Sequence, residues 1–583
     1  MSSQRSLAQG LVQALVRKIN VSLFKKSLFV SALLITSYLP SLGMAQEYSQ
    51  VAKDGHGAVA TVHPLATQAA IDALNNGGNA VDAAVAAAFT LGVVDGHNSG
   101  IGGGCFALVR WANGKVEAID GREMAPGSAT SDMYIRDGKV DSGLSKTGVL
   151  AIGIPGSVAA LEYLNKQGGK LSLSELVNPA AQLAENGFSM DRVYASRLAR
   201  AAPSISKFSA SAKILLDENG KPWPADHRLI QKNLSKTYKG IAKHGANYFY
   251  KGEFAKTVGE WMPKNGGIIS SEDFSNYELK IRKPVKTTYR DYTVYGFPPP
   301  SSGGVHVGQI LNMLEQFDVS HLSVADRYQL LAESMKIAFA DRAHWLGDPD
   351  FVDVPTGLID KQYAKDLAKG IHLKRSSIVK KHGTPPRATN DIFGKHTTHI
   401  ATADKEGNWV AITTTVNTGF GSKVIVPGTG VILNNQMDDF SAKPGTPNAY
   451  RLVGAEANKI QPGKRPLSSM SPTIVLRGDT PVLTTGAAGG PTIITQVLQT
   501  LVNYLDVGMP LPDALAAPRI HHQWAPDRLF AESALAEDVK ESLQEKGHNL
   551  LDRRYMGSSQ AISLSDGGFV SVSEPRLLLR NAR

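Results

Sequence analysis

The clearest periodic pattern in this chain is a pair of β-forming segments on either side of one short turn. Residues 397–403 and 409–416 are rich in threonine and branched apolar residues, and residues 404–408 between them have the composition of a turn. The pattern predicts a hairpin in which Thr415 lies opposite Thr397 with its side chain on the same face. An ordinary threonine-rich hairpin explains the same residues, because a slip of one position removes this pairing.

Two helices are predicted near the start of the chain. The first runs from Pro64 to Asn76 and ends at the glycine pair that follows. The second runs from Val81 to Leu91, with Asn79 as its N-cap, and its alanine-rich composition predicts that it is buried.

The first 45 residues have the pattern of a secretory signal. Lys25-Lys26 precede an apolar run from Leu28 to Leu42, and Gly43-Met44-Ala45 fits a cleavage site of small residues. The run is short for a transmembrane helix, so we expect a signal peptide over residues 1–45, no stable membrane anchor, and a periplasmic or secreted protein. An uncleaved signal anchor is the alternative.

Charge and composition exclude several classes of protein. The 583-residue chain has a net charge of +10, of which five positive charges fall in the leader, and no basic run is interleaved with aromatic residues. Nucleic-acid binding is therefore not expected. The single cysteine, Cys105, excludes an intramolecular disulfide and is predicted to be a small buried residue. Gly100 to Gly104 lack the lysine of a phosphate loop, and His396 and His399 would point to opposite faces of a strand, so no cofactor and no metal site are expected.

Several longer motifs occur in order along the chain. They are Asp120 to Pro126, Phe297 to Gly304, Asp341-Arg342, Thr397-Thr398-His399, Asn434 to Phe440, Lys464 to Thr473 and Gly489-Gly490. By these motifs the chain resembles the γ-glutamyltranspeptidase (glutathione hydrolase) family over nearly everything after about residue 50.

The resemblance implies a role for each matching residue. Thr397 is implied as the nucleophile and Thr415 as the partner of its hydroxyl group. The substrate's α-ammonium is implied to bind Asn417, Gln436 and Asp439, and its α-carboxylate to bind Arg122, Ser468 and Ser469. The backbone N–H groups of Gly489 and Gly490 are implied as the oxyanion hole. These residue types suit the tasks, because an ammonium needs a negative charge with amide acceptors, a carboxylate suits a guanidinium, and glycine lets backbone N–H groups point inward.

The resemblance also implies the fold and the maturation. We expect an α+β, four-layer αββα sandwich of the N-terminal-nucleophile hydrolase type, whose antiparallel central sheets are shared by two chains from one precursor. Autocatalytic cleavage of the His396–Thr397 bond would give a large subunit of residues 46–396 and a small catalytic subunit of residues 397–583. The free α-amino group of Thr397 is then the catalytic base. The expected activity is γ-glutamyltransferase and glutathione hydrolase, with amino acids, dipeptides or water as acceptors.

Two features affect the shape of the expected site. The family usually has Ser-Pro before the glycine pair, whereas this chain has Ala487-Ala488, which puts the shape of the acceptor side in doubt. The segment from Asp439 to Tyr450 is rich in proline and glycine, and the resemblance implies a lid with Tyr450 as its aromatic residue. A plain surface loop is the alternative.

Two other functions fit parts of the pattern. An acylase of the same fold would cut glutaryl or other side-chain amides, but a glutaryl group has no α-ammonium for Asn417, Gln436 and Asp439 to hold. A non-catalytic binding protein that retains the pocket would not need Thr397 and Thr415.

Overall fold

Two antiparallel β-sheets lie face to face, and helices cover the outer face of each sheet. The computed structural model describes residues 48–386, 398–442 and 456–581. The strands are β1 (Ser49–Val51), β2 (Gly57–Ala60), β3 (Gly104–Arg110), β4 (Val116–Gly121), β5 (Ile135–Arg136), β6 (Lys139–Val140), β7 (Phe188–Ser189), β8 (Arg228–Leu229), β9 (Lys280–Arg282), β10 (Val285–Tyr289), β11 (Tyr292–Gly296), β12 (Thr398–Asp404), β13 (Trp409–Thr415), β14 (Thr473–Arg477), β15 (Thr480–Ala488), β16 (Ile520–His522), β17 (Leu529–Glu532), β18 (Leu550–Arg553), β19 (Ser558–Ser565) and β20 (Gly568–Ser573). The helices are α1 (Pro64–Asn75), α2 (Ala80–Val94), α3 (Ser142–Lys146), α4 (Ser157–Gly168), α5 (Leu173–Asn186), α6 (Arg192–Ile205), α7 (Ser209–Leu215), α8 (Lys232–His244), α9 (Ala246–Tyr250), α10 (Glu253–Trp261), α11 (Ser271–Ser275), α12 (Gly303–Leu314), α13 (Val324–Trp345), α14 (Lys361–Ala368), α15 (Thr492–Leu505), α16 (Leu511–Ala516), α17 (Glu537–Glu545) and α18 (Arg576–Asn581).

The strand order interleaves early and late parts of the chain. Within the described ranges the first sheet has the order β1-β2-β12-β13-β3-β4-β9, and the second has the order β10-β11-β14-β15-β19-β20. All neighbours in both sheets are antiparallel. The β12–β13 hairpin therefore sits between β2 and β3, at the centre of the first sheet.

Three apolar interfaces separate four layers. Alternate residues of β12 and β13, such as Ile400 and Ile412, pack with α1 and α2 on the outer face of the first sheet. Their neighbours, such as Ala401, pack between the sheets with Ile474 and Ile562 of the second sheet. The outer face of the second sheet packs with α12, α13 and α15. The predicted αββα sandwich is confirmed.

Both predicted N-terminal helices are confirmed. The second helix is longer than expected at its C-terminal end, because α2 continues to Val94. The Asn79 side chain accepts hydrogen bonds from the first turn, and Asp82 completes a capping box. Nearly every residue of α2 is buried.

The predicted hairpin and its register are confirmed for the described residues. Thr398 pairs with Thr414, and each following pair to Ala403–Trp409 keeps the predicted register. His396, Thr397 and Tyr450 lie outside the described residues.

Cys105 is buried in β3, as predicted, and burial raises the pKa of its thiol well above the ordinary value. No helix in the described ranges is both long enough and apolar enough to cross a membrane.

Gly103 allows the turn before β3 to lie against the end of β13. A Cβ atom added at Gly103 would lie 1.9 Å from the carbonyl oxygen of Thr415. We predict that Gly103→Ala lowers the free energy of unfolding by about 1–3 kcal/mol, because one of the two backbones must move. Urea denaturation measures the change. Gly370→Ala is the matched control, since the nearest atom to its new Cβ is 3.5 Å away. Equal stability of the two variants would contradict the prediction.

Candidate active site

The site is built around the start of β12 and the end of β13. Thr415, the last residue of β13, is buried and pairs with Gly104 of β3. Its hydroxyl oxygen accepts a hydrogen bond from the backbone N–H of Asn417 at 2.8 Å. Thr415 thus closes the turn that takes the chain out of the sheet, and the confirmed register places it next to the pair Thr398–Thr414.

Asn417 adopts an unusual backbone conformation that the fold holds in place. Its φ angle is +74°, a left-handed value that asparagine tolerates better than most residues. Its side-chain amide donates to the carbonyl oxygen of Asn435 at 2.8 Å, and the Asn435 side chain accepts from the N–H of Thr418 at 3.0 Å. These bonds attach the loop after β13 to the segment that carries Gln436 and Asp439.

Gln436 and Asp439 lie at the two ends of one short 3₁₀ turn, Gln436–Asp439, and both are fully buried. The Gln436 amide donates to Asp439 Oδ2 at 2.8 Å. Gln436 Oε1 is also buried and accepts no hydrogen bond from the residues that the structure describes. A buried amide oxygen without a donor is costly in an apolar setting, so this atom is an available acceptor for a ligand.

Arg122 makes a direct ion pair with Asp439. Its Nη2 lies 2.5 Å from Asp439 Oδ2, and both side chains are buried. The same guanidinium donates to the carbonyl oxygens of Pro466 and Leu467 at 2.9 and 3.0 Å. The resemblance implied that Arg122 and Asp439 bind the carboxylate and the ammonium of one α-carbon, and the structure brings the two side chains into direct contact.

Ser468 and Ser469 directly follow Leu467 in the chain, and hydrogen bonds from Arg342 and Ser302 support them. The Arg342 guanidinium donates to Ser469 Oγ at 2.7 Å and to Ser302 Oγ at 2.8 Å. The Ser302 hydroxyl in turn donates to the carbonyl oxygen of Ser468 at 2.8 Å. Burial lowers the pKa of Arg342 to about 9. The sequence analysis gave Arg342 and Ser302 no role. Both lie within identified motifs, Asp341-Arg342 and Phe297 to Gly304, and these motifs could have pointed to them.

Gly489 and Gly490 follow β15 directly, with φ angles of 139° and 69°. Side chains of α15 hold this turn, because Thr492 Oγ1 donates to the Gly489 carbonyl at 2.7 Å and Gln496 donates to the Ala488 carbonyl at 3.0 Å. A Cβ at Gly489 would lie 2.6 Å from Thr492 Oγ1, so the turn requires glycine.

The Ala487-Ala488 pair lies within regular sheet structure. Ala487 pairs with Ser559 and Ala488 with Ser558 of β19, so β15 continues up to the glycine turn. Ala488 and Gly489 line a cavity of about 240 Å³ together with Thr398.

Asp95 contacts the residue that follows the expected nucleophile. The hydroxyl of Thr398 donates to Asp95 Oδ2 at 2.6 Å, and both side chains are buried. Burial raises the pKa of Asp95 to about 6, although the bond from Thr398 and the charge of Arg197 oppose the rise. The sequence carried no signal for this contact, since 303 positions separate the two residues.

Glu123 is a second buried carboxyl group that sequence reasoning missed. Its Oε2 lies 3.5 Å from Nη1 of Arg122. Burial raises the pKa of Glu123 to about 7, against the lowering effect of the Arg122 charge. The group therefore changes its ionisation near neutral pH, directly behind the Arg122–Asp439 pair.

Comparison with known proteins agrees with this fold. The sequence pattern of the family described as Gamma-glutamyltranspeptidase matches residues 66–578. The chain is 44% identical over 544 residues to the glutathione hydrolase proenzyme of Escherichia coli (strain K12), covering 92% of this chain and 93% of that protein. It is 40% identical over 531 residues to the glutathione hydrolase proenzyme of Pseudomonas sp. (strain A14), covering 90% and 92%. The crystal structure of cephalosporin acylase from Bacillus halodurans superposes with a TM-score of 0.80 at 28% identity, covering 89% of this chain and 94% of that one.

The fold is that of the N-terminal-nucleophile hydrolase class of enzymes. Within that class the chain belongs to the γ-glutamyltranspeptidase family, and it is a γ-glutamyltransferase and glutathione hydrolase by type.

The raised pKa of Glu123 predicts a specific pH dependence of stability. In the folded protein Glu123 stays protonated up to about pH 7, whereas its unfolded value is 4.5. Between these pH values folding takes up a proton. As pH rises through this window, the contribution of Glu123 to the free energy of unfolding falls by about 3 kcal/mol. Glu123→Gln cannot ionise and should lack this fall.

The measurement is urea denaturation of both proteins at pH 5 and pH 8. We expect the variant to gain stability relative to the wild type at pH 8. A difference between the two proteins that is the same at both pH values would contradict the assignment.

Proposed function

We propose that this enzyme is cut before Thr397, forms a γ-glutamyl ester on the Thr397 hydroxyl, and transfers the acyl group to water, amino acids or dipeptides. The observation that carries the proposal is the buried Arg122–Asp439–Gln436 group with the open acceptor Gln436 Oε1. It adjoins the end of β13, because Asn417 and Asn435 connect the loop after this strand to the segment that carries Gln436.

The charges in this group suit a γ-glutamyl head group. Asp439 supplies a negative charge for the α-ammonium, and Gln436 and Asn417 supply amide oxygens. Arg122 and the hydroxyls of Ser468 and Ser469 supply donors for the α-carboxylate. Arg122 and Asp439 already form an ion pair. A zwitterionic head group can interact with both of its charges, the α-carboxylate with Arg122 and the α-ammonium with Asp439.

The chemistry then follows in two steps. Thr397 Oγ attacks the γ-carbonyl carbon of the substrate, its proton passes to the free α-amino group of Thr397, and the C–N bond breaks as the leaving amine takes that proton. Water or an acceptor amine next attacks the ester carbon, and the C–O bond to Thr397 breaks. In both steps the backbone N–H groups of Gly489 and Gly490 stabilise the oxyanion, and Thr415 holds the Thr397 hydroxyl.

The same nucleophile explains the proposed maturation. Thr397 Oγ would attack the carbonyl carbon of His396, and the His396–Thr397 C–N bond would break to give an ester and a free α-amino group. Water would then hydrolyse the ester and separate the two chains. The products are the large and small subunits of one precursor, residues 46–396 and 397–583. We also propose that residues 1–45 are removed on export and that the enzyme works in the periplasm or outside the cell.

The segment after Asp439 is proposed as a lid. Its first residues, Ser441 and Ala442, are described, and the N–H of Ser441 donates to the Asn458 carbonyl at 2.9 Å. The Asn458 amide donates to the Asp439 carbonyl at 2.7 Å. These bonds hold both ends of the segment that carries Tyr450 beside the proposed head-group site, which supports a role in excluding water.

Hydrolysis of a glutaryl amide is the second candidate function. The close structural match to a cephalosporin acylase favours it. A glutaryl group has a carboxylate but no α-ammonium, so it would leave Asp439 and Gln436 Oε1 without a cationic ligand.

Replacing Thr397 by alanine should leave an uncut and inactive protein, because the hydroxyl acts in both cleavage and catalysis. We expect activity on a γ-glutamyl anilide to fall by at least about 10³-fold. Intact mass and release of the chromogenic aniline measure the two effects. Thr397→Ser is the matched control, since it keeps a hydroxyl and should be cut and active. Normal cleavage of the alanine variant would contradict the assignment.

Asp439→Asn should reduce the preference for a γ-glutamyl over a glutaryl anilide. Loss of the charge that pairs with the ammonium should lower kcat/KM for the γ-glutamyl substrate by about 10–100-fold, with a much smaller effect on the glutaryl substrate. Asp438→Asn is the matched control, because Asp438 lies in the same turn but accepts its hydrogen bond from Ser145 at 2.5 Å. A wild-type preference for the glutaryl anilide would favour the acylase function.

A further inference from the structure

Two cavities reach the proposed oxyanion turn, and their charges differ. The cavity of about 240 Å³ is lined by Asp95, Asp191 and Arg197 as well as by Thr398 and Gly489. A second cavity of about 490 Å³ is also lined by Gly489. Because both meet at the turn where a substrate carbonyl would be held, either one is in position to receive the amine half of a substrate.

The second cavity is positively charged. Two exposed arginines, Arg528 and Arg553, line it, and no aspartate or glutamate does. The nearest acidic residues in sequence contact other groups, since Asp527 lies 3.0 Å from the buried ring of His522 and Asp552 lies 3.5 Å from Lys540. Neither lining arginine has an ion-pair partner among the residues described, so the charge of the cavity is not neutralised by the protein there.

The side of the cavity that carries Arg553 belongs to a β-strand. Arg553 is the last residue of β18, and its carbonyl oxygen accepts a hydrogen bond from the N–H of Ser533 at 2.8 Å. Its guanidinium lies over the ring of Phe530, 4.9 Å from the ring centre. Phe530 and Tyr555 line the same cavity and give it an aromatic side.

A close backbone approach links this wall to the oxyanion turn. Gly557 has a φ angle of +80°, and a Cβ added there would lie 2.1 Å from the carbonyl oxygen of Ala488. The loop after β18 therefore lies directly against the residues that precede Gly489. The side of the cavity that carries Arg553 therefore has a fixed position relative to the glycine turn. A binding subsite requires such fixed geometry.

We infer that the Arg528–Arg553 cavity binds the free carboxylate of the amine that leaves or accepts the acyl group. The inference rests on the proposed function and deepens it. Ester formation and aminolysis are the reverse of each other, so the leaving amine and the accepting amine occupy one subsite. In aminolysis the acceptor nitrogen bonds to the ester carbon, the bond to Thr397 Oγ breaks, and the amine proton passes through the α-amino group to Oγ.

The first cavity is the competing subsite, and its lining disfavours an anion. Arg197 faces two carboxyl groups there and donates to the side chain of Asn98. A carboxylate placed in that cavity would face Asp95 and Asp191, at a cost from like charges.

The test compares a charged with a neutral acceptor in the processed enzyme. With a γ-glutamyl anilide as donor, transfer to glycylglycine and to glycylglycinamide is measured over a range of acceptor concentrations. In the double variant Arg528→Gln/Arg553→Gln, the ratio of kcat/KM for glycylglycine to that for the amide should fall about tenfold. Because both arginines are exposed, high salt should shrink the difference between wild type and variant.

The controls separate the outcomes. Arg554→Gln removes a neighbouring exposed charge that does not line the cavity, and it should leave the ratio unchanged. An unchanged ratio in the double variant, or a selective fall in Arg197→Gln, would overturn the inference. A wild-type enzyme that releases no aniline would instead overturn the proposed function.

Discussion

The buried ion pair between Arg122 and Asp439 is the contact on which the rest of the site depends. The two residues are 317 positions apart, and their side chains are both removed from water. Removing one partner of such a pair typically costs about 3–5 kcal/mol, because the other charge is left buried without compensation. The pair also fixes its surroundings, since Arg122 holds the carbonyls before Ser468 and Asp439 holds the amide of Gln436.

Further polar groups surround this pair in a second layer of contacts. Arg342 and Ser302 support the two serines from one side, and Glu123 lies against Arg122 from another. A site built from so many buried polar groups is stable only when nearly all of them have partners. Gln436 Oε1 and both carboxyl oxygens of Glu123 are buried here without a hydrogen-bond partner among the residues that the structure describes.

The sequence predicted most accurately the structural features that depend on local residue patterns. Alternation and turn composition predicted the hairpin and its register, and Asn79 marked the start of α2. Motifs identified Arg122, Asp439 and the glycine turn, but not that Arg122 touches Asp439. Asp95 and Glu123 were missed, because a buried carboxyl group is distinguished by its neighbours in space, and those come from distant parts of the chain. The placement of Thr397 and Tyr450 stays a prediction.

The position of the β12–β13 hairpin has a consequence for the lifetime of the enzyme. It lies between β2 and β3, which belong to the part of the chain before residue 397. Once the proposed cut is made, the two polypeptides cannot separate without tearing the central sheet apart on both sides of the hairpin. After that cut no covalent link joins the two polypeptides, so refolding of a molecule that opens would be a slow encounter between two partial folds. An enzyme cut in this way would persist through the height of its unfolding barrier, and each copy would assemble only once.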